Sequence, residues 1–418
     1  MLQKGKILVV LLSTLIVLYG VSAAFYGKVV AKDDAYPALS VFMESLKRIN
    51  DDYVETPEMS KVQEGAMQGL IDALDPYSSY LTKEQIRVLD SRKSNTAGVG
   101  LVLSKRSNIL YVVATTRNGP ADSAGMRPGD YLVSIDGANV EDTSLLEAES
   151  LLRGSPGSKV KATVFRGSQT KPVEMVMLRA NEEPLAAATR MLDGRIGLLE
   201  VRSLAATNLD PTRVKLKTLI SAGAQKLLLD LRDCAGGKPE LGAELANLFM
   251  GNGSVYLVKG RLGEVLGEIK ADPAKFVTDL PMAVLINGST AGPAEIAAGA
   301  LKASGRARVV GERSFGMGSI QKQIELKSGA VVVLSTAKFF TPDGKMIEND
   351  EAVRETGIKP DIESPEPLRL QDLLVDSYFD DQDDSAKFRQ LRQKIDREQF
   401  DKAIEVLSKG SPAVKQVP

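Results

Sequence analysis

The spacing of apolar residues along the chain changes several times, and each change predicts a different kind of structure. Between residues 28 and 94 the period is helical, and the second helix of this region ends at Asp75-Pro76. The first helix carries apolar residues three and four positions apart: Leu39, Phe42, Met43, Leu46 and Ile49. The pattern therefore predicts an N-terminal helical region.

In residues 95–180 the helical spacing of apolar residues ends, and short apolar runs alternate with glycine-rich turns. Gly98–Leu103 and Ile109–Ala114 are predicted strands, and the turn-rich segment GPADSAGMRPGDYLVSIDG follows at 119–137. Ser144–Leu152 is a predicted helix, and Val160–Phe165 a further strand. The order predicts a small β-rich domain that includes helices.

This order resembles a PDZ domain, which binds an extended peptide along a sheet edge. The resemblance implies that the glycine-led run presents backbone N–H groups to the terminal carboxylate of a peptide. The expected peptide-binding residues are Gly98, Val99, Gly100 and Leu101.

From residue 181 to about 366, predicted strands and helices alternate. Buried strands such as Lys226–Leu231 and Met282–Ile286 are separated by the predicted helices Leu241–Met250 and Ala294–Ala303. Such alternation predicts an α/β core with a largely parallel sheet. Residues 367–418 are charged and predicted to be helical, with a solvated end that we expect to be disordered.

The amino-acid composition limits which catalytic groups, metal ligands and partners can be expected. The 418 residues include 53 basic and 54 acidic side chains, for a net charge of −1, so we expect no nucleic-acid partner. There is one cysteine, Cys234, and no histidine. The absence of histidine excludes a Ser-His-Asp triad, a Cys-His dyad and histidine metal ligands. We expect neither a metal site nor a cofactor.

The amino terminus predicts export. Lys4 and Lys6 precede an apolar run over residues 7–26. Residues 1–27 are either a cleaved signal peptide, with a cleavage site near Val21-Ser22-Ala23, or an uncleaved membrane anchor. Either alternative predicts an exported protein, periplasmic or otherwise extracytoplasmic.

Ordered segments over residues 35–365 resemble the carboxyl-terminal processing, or tail-specific, peptidases. They are Leu74–Tyr80 (LDPYSSY), the PDZ segment, 227–237 (LLLDLRDCAGG), 287–296 (NGSTAGPAEI), 311–321 (GERSFGMGSIQ), 341–344 (TPDG) and 357–361 (GIKPD). The resemblance implies a multi-domain α/β protein whose core is of the ClpP/crotonase-like, tail-specific protease type. It also implies a serine nucleophile, a lysine base, a glutamine that orients the lysine, and an oxyanion hole.

The serine and the lysine that the resemblance implies are not present at the matching positions. Anchored on Glu295-Ile296, the nucleophile position is Gly292, and anchored on Phe315-Gly316, the lysine position is Met317. A thioether cannot take up a proton at neutral pH. The residue after the nucleophile should supply an oxyanion N–H, but it is Pro293, which has none.

Other parts of the family pattern survive. The glutamine position holds Gln321, and the Gly236-Gly237 turn is retained as the candidate oxyanion hole. We interpret Glu295 as a helix cap and not as a catalytic group.

Other nucleophiles and bases stay open at the sequence level. Ser289, Thr290 and Cys234 lie near the site in sequence, and Lys302, Lys338 or Lys345 could replace the missing base. The leading hypothesis is an exported, catalytically inactive homologue that binds unfolded or C-terminal protein tails. The alternatives are an active serine-type endopeptidase with a rearranged nucleophile, and a partner that pairs with itself or with an active paralogue.

Overall fold

The computed structural model describes residues 35–92, 97–106, 109–141, 143–166, 171–181, 186–204, 209–348, 357–364 and 385–409. The predicted signal or anchor at 1–27 and the tail after Gly410 lie outside these residues. Within them, no helix is long and apolar enough to cross a membrane. The chain divides after Met67 into two compact units.

The helical region begins with α1 (Ala35–Asp52) and α2 (Met59–Asp72), followed by β1 (Ser79–Leu81) and α3 (Lys83–Arg92). The turn before β1 is held by Asp75. Its carboxylate accepts hydrogen bonds from the backbone N–H groups of Tyr77 (2.8 Å) and Ser78 (2.9 Å), and from the Ser78 hydroxyl. Asp75 thus fixes the position of Tyr77, which is one of the residues that line the cavity described below.

The β-rich region forms a sheet in the order β3-β4-β5-β7-β8, with β6 paired to β5, while β2 pairs with β9. The predicted strand Gly98–Leu103 is in fact divided, because Gly100 takes a positive φ of 73° and separates β2 from β3. The elements are β2 (Ala97–Gly98), β3 (Leu101–Arg106), β4 (Ile109–Thr115), α4 (Pro120–Ser123), β5 (Tyr131–Ile135), β6 (Ala138–Asn139), α5 (Leu145–Leu152), β7 (Lys159–Phe165), β8 (Val173–Leu178) and β9 (Ala180–Asn181).

The α/β core is built on a sheet in the order β10-β11-β12-β15-β16-β19. Strands β11, β12, β15, β16 and β19 are parallel, as predicted, and β10 adds an antiparallel edge. The elements are β10 (Ala188–Leu192), β11 (Ile196–Glu200), α6 (Asp210–Ser221), β12 (Lys226–Asp230), α7 (Pro239–Asn247), β15 (Met282–Ile286), α8 (Pro293–Ala303), β16 (Ala307–Gly311) and β19 (Ile362–Glu363). Every residue of β15 is buried, which explains its uninterrupted apolar sequence.

A second, antiparallel sheet has the order β1-β18-β13-β14, with β17 paired to the other edge of β18. Its strands include β13 (Ser254–Lys259), β14 (Val265–Lys270), β17 (Ser319–Glu325) and β18 (Val331–Phe340). Short 3₁₀ helices occur at Asp193–Arg195, Arg261–Gly263 and Pro273–Lys275.

The C-terminal helix α9 (Ser385–Ser408) covers the outer face of the parallel sheet. Ala403 and Leu407 pack there against buried residues of β12 and β15, including Leu228 and Leu285. Arg232, which follows β12, donates to the backbone carbonyl of Asp396 at 3.0 Å. The charged tail predicted from the sequence therefore contributes to the core.

Candidate functional site

The site centres on Gly292, the N-cap of α8, whose φ of 62° and ψ of −121° lie in a region that residues with a side chain rarely adopt. A β-carbon at Gly292 would lie 3.9 Å from the Sδ atom of Met317. The structure therefore brings together the positions assigned to the nucleophile and to the base. The nucleophile position, Gly292, has no side chain, and the base position, Met317, carries a thioether.

The N–H donors around Gly292 are engaged or missing. The Gly292 N–H donates to Oε2 of Glu295 at 2.9 Å. Pro293 occupies the first position of α8 and has no N–H to donate. This end of the site therefore lacks the oxyanion donor that the family pattern places after the nucleophile.

Glu295 is fully buried and joins two loops. Besides capping α8 through Gly292, its carboxylate accepts hydrogen bonds from the Ser314 hydroxyl (2.5 Å), the Gly316 N–H (2.6 Å) and the Met317 N–H (2.7 Å). Burial raises the pKa of Glu295 to about 7, although these donors favour its charged form. The cap was predicted from the sequence, whereas its role in holding the Met317 loop was not.

A second buried carboxylate continues this arrangement. Glu348 is 3% exposed, and its Oε2 accepts the Gly318 N–H at 2.6 Å. Burial raises its pKa to about 7. The successive backbone N–H groups of Gly316, Met317 and Gly318 thus donate hydrogen bonds to two buried carboxylates. These bonds fix the loop whatever side chain stands at position 317.

The candidate oxyanion turn lies opposite Gly292. Gly236 and Gly237 have φ values of 76° and 106°, which explains the need for glycine at both positions. A backbone hydrogen bond connects this turn to the loop that carries Gly292. The Ala291 N–H donates to the carbonyl of Cys234, two residues before Gly236, at 3.0 Å. Both glycines line the same cavity as Gly292 and Met317.

Gln321 lies on β17 and also lines the cavity. Its side-chain amide donates to the Ser335 hydroxyl at 3.3 Å, and that hydroxyl donates to Asp75 at 3.0 Å. The glutamine that should orient a lysine is thus connected to the turn that carries Tyr77.

The geometry does not favour the alternative nucleophiles. Thr290 is fully buried and its hydroxyl donates to the carbonyl of Leu231 at 2.8 Å, while Ser289 is 5% exposed. The Cys234 thiol is also buried, and burial raises its pKa to about 12, so it stays protonated.

The alternative bases lie elsewhere. Lys302 donates to the carbonyl of Lys359, and Lys345 forms an ion pair with Asp343 at 2.7 Å. Lys338 precedes the cavity-lining Phe339 on β18 and does not itself line the cavity; its charge acts on the Glu348 carboxylate, where it favours the ionised form. Among the described residues that line the cavity there is no lysine.

The β-rich domain packs directly over this site. Val113 and Ala114 of β4 form a buried cluster with Ala235 and Ala291 of the core. Half-buried side chains complete the cluster: Val102, Tyr111, Phe315 and Met317. Met317 therefore serves as packing surface between two domains, a role that its sequence position did not indicate.

A cavity of about 970 Å³ runs between the two domains. One end is lined by the predicted peptide-binding residues, Gly98, Val99, Gly100 and Leu101, together with Leu145 and Leu152 of α5. The other end contains Gly236, Gly237, Gly292, Met317 and Gln321. The expected peptide groove and the expected catalytic centre are thus parts of one continuous space.

Comparisons with known proteins agree with this arrangement. A family model described as Peptidase family S41 matches residues 195–364, and a PDZ domain model matches residues 111–166. A carboxy-terminal-processing protease of Bartonella bacilliformis is 31% identical over 342 residues, which cover 81% of this chain and 77% of that protein. The chain belongs to peptidase family S41.

Two further similarities extend this assignment. A probable CtpA-like serine protease of Staphylococcus aureus is 30% identical over 378 residues, covering 86% of this chain and 73% of that protein. The solved structure of the photosystem II D1 C-terminal processing protease shares the fold, with a TM-score of 0.62, 24% identity, and coverage of 77% of this chain and 92% of that one. The predicted resemblance and fold class are confirmed: this S41 homologue combines an N-terminal helical segment, a PDZ domain and an S41 core.

Proposed function

We propose that this S41 homologue is an exported, catalytically inactive protein that binds protein tails ending in a free carboxylate. The observation that supports inactivity is the identity of the two residues at positions 292 and 317, where a β-carbon on Gly292 would come within 3.9 Å of the Met317 Sδ atom. These residues are a glycine and a methionine, and neither can attack a carbonyl carbon or take up a proton. Pro293 adds the loss of an oxyanion donor, which in proteases costs about 10²–10³ in rate.

The PDZ domain supplies the binding part of the proposal. Domains of this kind pair a peptide with a sheet edge and capture the terminal carboxylate with backbone N–H groups. The loop from Gly98 to Leu101 opens into the cavity, so a bound tail would enter the space beside Gly292 and Met317. The tail is held there without being cut.

A paired assay tests both parts. The full-length chain should not hydrolyse a tailed peptide above background, nor react with a serine-directed phosphonate. It should bind a peptide with a free, apolar C-terminal residue, and amidation of that peptide should weaken binding at least about 10-fold, because the carboxylate charge is lost. Hydrolysis with labelling of Ser289 or Thr290 would support the rearranged protease instead, and equal binding of both peptides would rule out carboxylate capture.

Export and partners are tested separately. Residues 1–27 combine a basic start with an apolar run, which supports a signal peptide or an anchor. Fractionation of the native source should recover the protein outside the cytoplasm, and the mass of its N-terminal peptide distinguishes cleavage from retention. Co-purification from the same source tests whether a second copy or an active paralogue accompanies it.

A further inference from the structure

The strand β14 exposes apolar side chains at the edge of a sheet. In the described part of the chain it pairs with β13 and with no other strand, so one of its sides is open. Val265, Leu266 and Ile269 are 59%, 55% and 41% exposed. An open edge presents backbone N–H and C=O groups that can pair with another strand, and natural proteins cover or protect such edges.

The second half of this strand has a regular backbone. The pairing with β13 skips Leu266, which forms a bulge near the start of the strand. In contrast, Gly267, Glu268 and Ile269 pair with three consecutive residues of β13, and Lys270 also has a partner there. A bulge protects an edge by distorting it, so the part of β14 that can accept another strand runs from Gly267 to Lys270.

The charges on this part of the edge complement one another when the strand meets a copy of itself. Glu268 and Lys270 flank Ile269, and their exposed side chains form an ion pair of 3.6 Å. In an antiparallel pair of identical strands with a two-fold axis at Ile269, Glu268 of each copy stands opposite Lys270 of the other. Two pairs of opposite charge then flank a contact between the two isoleucines. A two-fold axis at Glu268 would instead set two carboxylates against each other.

The apolar residues on either side of Ile269 also complement one another. Val265 and Leu266 precede it, and Phe276, which is 41% exposed and lies beside Gly251, follows it. A two-fold axis reverses the strand direction, so Val265 and Leu266 of one copy face the end of the strand at which the other copy carries Phe276. Apolar groups that a single copy leaves in water are therefore covered when two copies meet.

We propose that β14 is a homodimerisation edge, at which two copies of this chain join their antiparallel sheets about a two-fold axis at Ile269. The occupant is a second copy because the edge complements itself both in charge and in its apolar residues. No described residue of β14 lines the cavity, so the dimer leaves the lining of both cavities unchanged. The inference is therefore independent of tail binding.

Charge reversal provides the first test. Glu268→Lys makes both charged positions of the edge basic, and Lys270→Glu makes both acidic. Each variant of the full-length chain should self-associate at least about 10-fold more weakly than the unsubstituted chain, because like charges then face each other. An equimolar mixture of the two variants should recover the association, since every basic position again faces an acidic one. Lys322→Glu makes the same charge change on the exposed strand β17 and should leave self-association unchanged.

Sedimentation velocity measures the association over a range of about 100-fold in protein concentration. Thermal melting verifies that each variant is folded. A chain that stays monomeric over this range would overturn the proposal, and so would an association that neither reversal weakens. If both variants are weakened and their mixture does not recover, the pairing of Glu268 with Lys270 is wrong.

Hydrogen exchange tests the same edge without any substitution. The outward N–H groups of β14 become hydrogen-bonded in the dimer, so exchange in a peptide that spans residues 265–271 should slow at least about 5-fold as the chain associates. A peptide from β17 should exchange at the same rate at every concentration, although that strand is also exposed. If the chain associates and exchange over β14 does not change, the contact lies elsewhere and the proposal fails. This measurement decides if a charge variant does not fold.

Discussion

The Sδ atom of Met317 lies 3.9 Å from the point that a β-carbon of Gly292 would occupy. These residues stand on different elements, one at the start of α8 and the other in the loop before β17. Glu295 accepts a hydrogen bond from the backbone N–H of each. One buried carboxylate thus holds both positions in place, while neither residue carries a nucleophile or a base.

Restoring activity is expected to need three changes. Gly292→Ser with Met317→Lys supplies a nucleophile and a base, but the hydrolysis of a tailed peptide should remain weak because Pro293 offers no oxyanion N–H. Adding Pro293→Ala should raise the rate about 10-fold or more over the double variant. The comparison is made between matched single-turnover rates, and equal rates would contradict the oxyanion argument.

Met317→Lys alone is expected to lower the melting temperature. The side chain packs among Val113, Ala114 and Phe315 at the domain contact, where an ammonium group loses its hydration. The loss should be roughly 1–3 kcal/mol, typical of an unsatisfied buried polar group. Met317→Leu, which conserves volume and polarity, is the control and should cost less than about 1.5 kcal/mol. An unchanged melting temperature for Met317→Lys would show that position 317 is open to solvent.

Sequence reasoning succeeded where the cause is local. Zero histidines excluded whole classes of site, the strand-helix alternation predicted the parallel sheet, and Glu295 three residues after Gly292 predicted a cap. These features depend on residues close in the chain or on composition.

What sequence reasoning missed depends on contacts between distant segments. No local signal relates Glu295 to Gly316, or Val102 to Gly236, whose β-carbon position lies 3.3 Å from a Val102 methyl group. The exposed strand β14 escaped prediction as well, since its apolar residues have no buried face to give them a period. The first contact lies within the α/β core and the second joins the PDZ domain to it, and no spacing in one sequence indicates either of them.

Glu348 should make stability depend on pH. Its pKa in the folded state is about 7, above its ordinary value of 4.5, so the folded protein retains a proton that the unfolded chain releases. The resulting stabilisation is complete below about pH 4.5 and is lost as the pH rises to 7. Glu348→Gln keeps an oxygen to accept the Gly318 N–H but cannot titrate.

Urea unfolding at several pH values between 5 and 7 measures this effect. The free energy of unfolding of Glu348→Gln relative to the unsubstituted protein should improve by roughly 1 kcal/mol per pH unit. Because the charge of Glu295 also raises the pKa of Glu348, the comparison is repeated in a Glu295→Gln background, which removes the interaction between the two carboxylates. A constant difference across this range would mean that Glu348 is ionised throughout.

Cys234 should be unreactive until the core unfolds. Its thiol is fully buried, with a pKa raised to about 12 by burial, so thiolate is scarce and access is blocked. Iodoacetamide should label it at least about 100-fold more slowly in the native protein than in urea, as followed by mass spectrometry. Rapid native labelling would contradict the buried position of the turn before Gly236. Because the chain has one cysteine, the labelling rate reports on this single place.

The backbone at Gly292 also bears on how such a protein can change over generations. Its φ of 62° and ψ of −121° suit glycine, so a serine introduced there would be strained and would still lack both a base and an oxyanion donor. A single substitution at Gly292 is therefore expected to cost stability without completing a set of catalytic groups. Three positions, Gly292, Pro293 and Met317, would have to change together, so hydrolysis by this arrangement of groups stays out of reach of single substitutions.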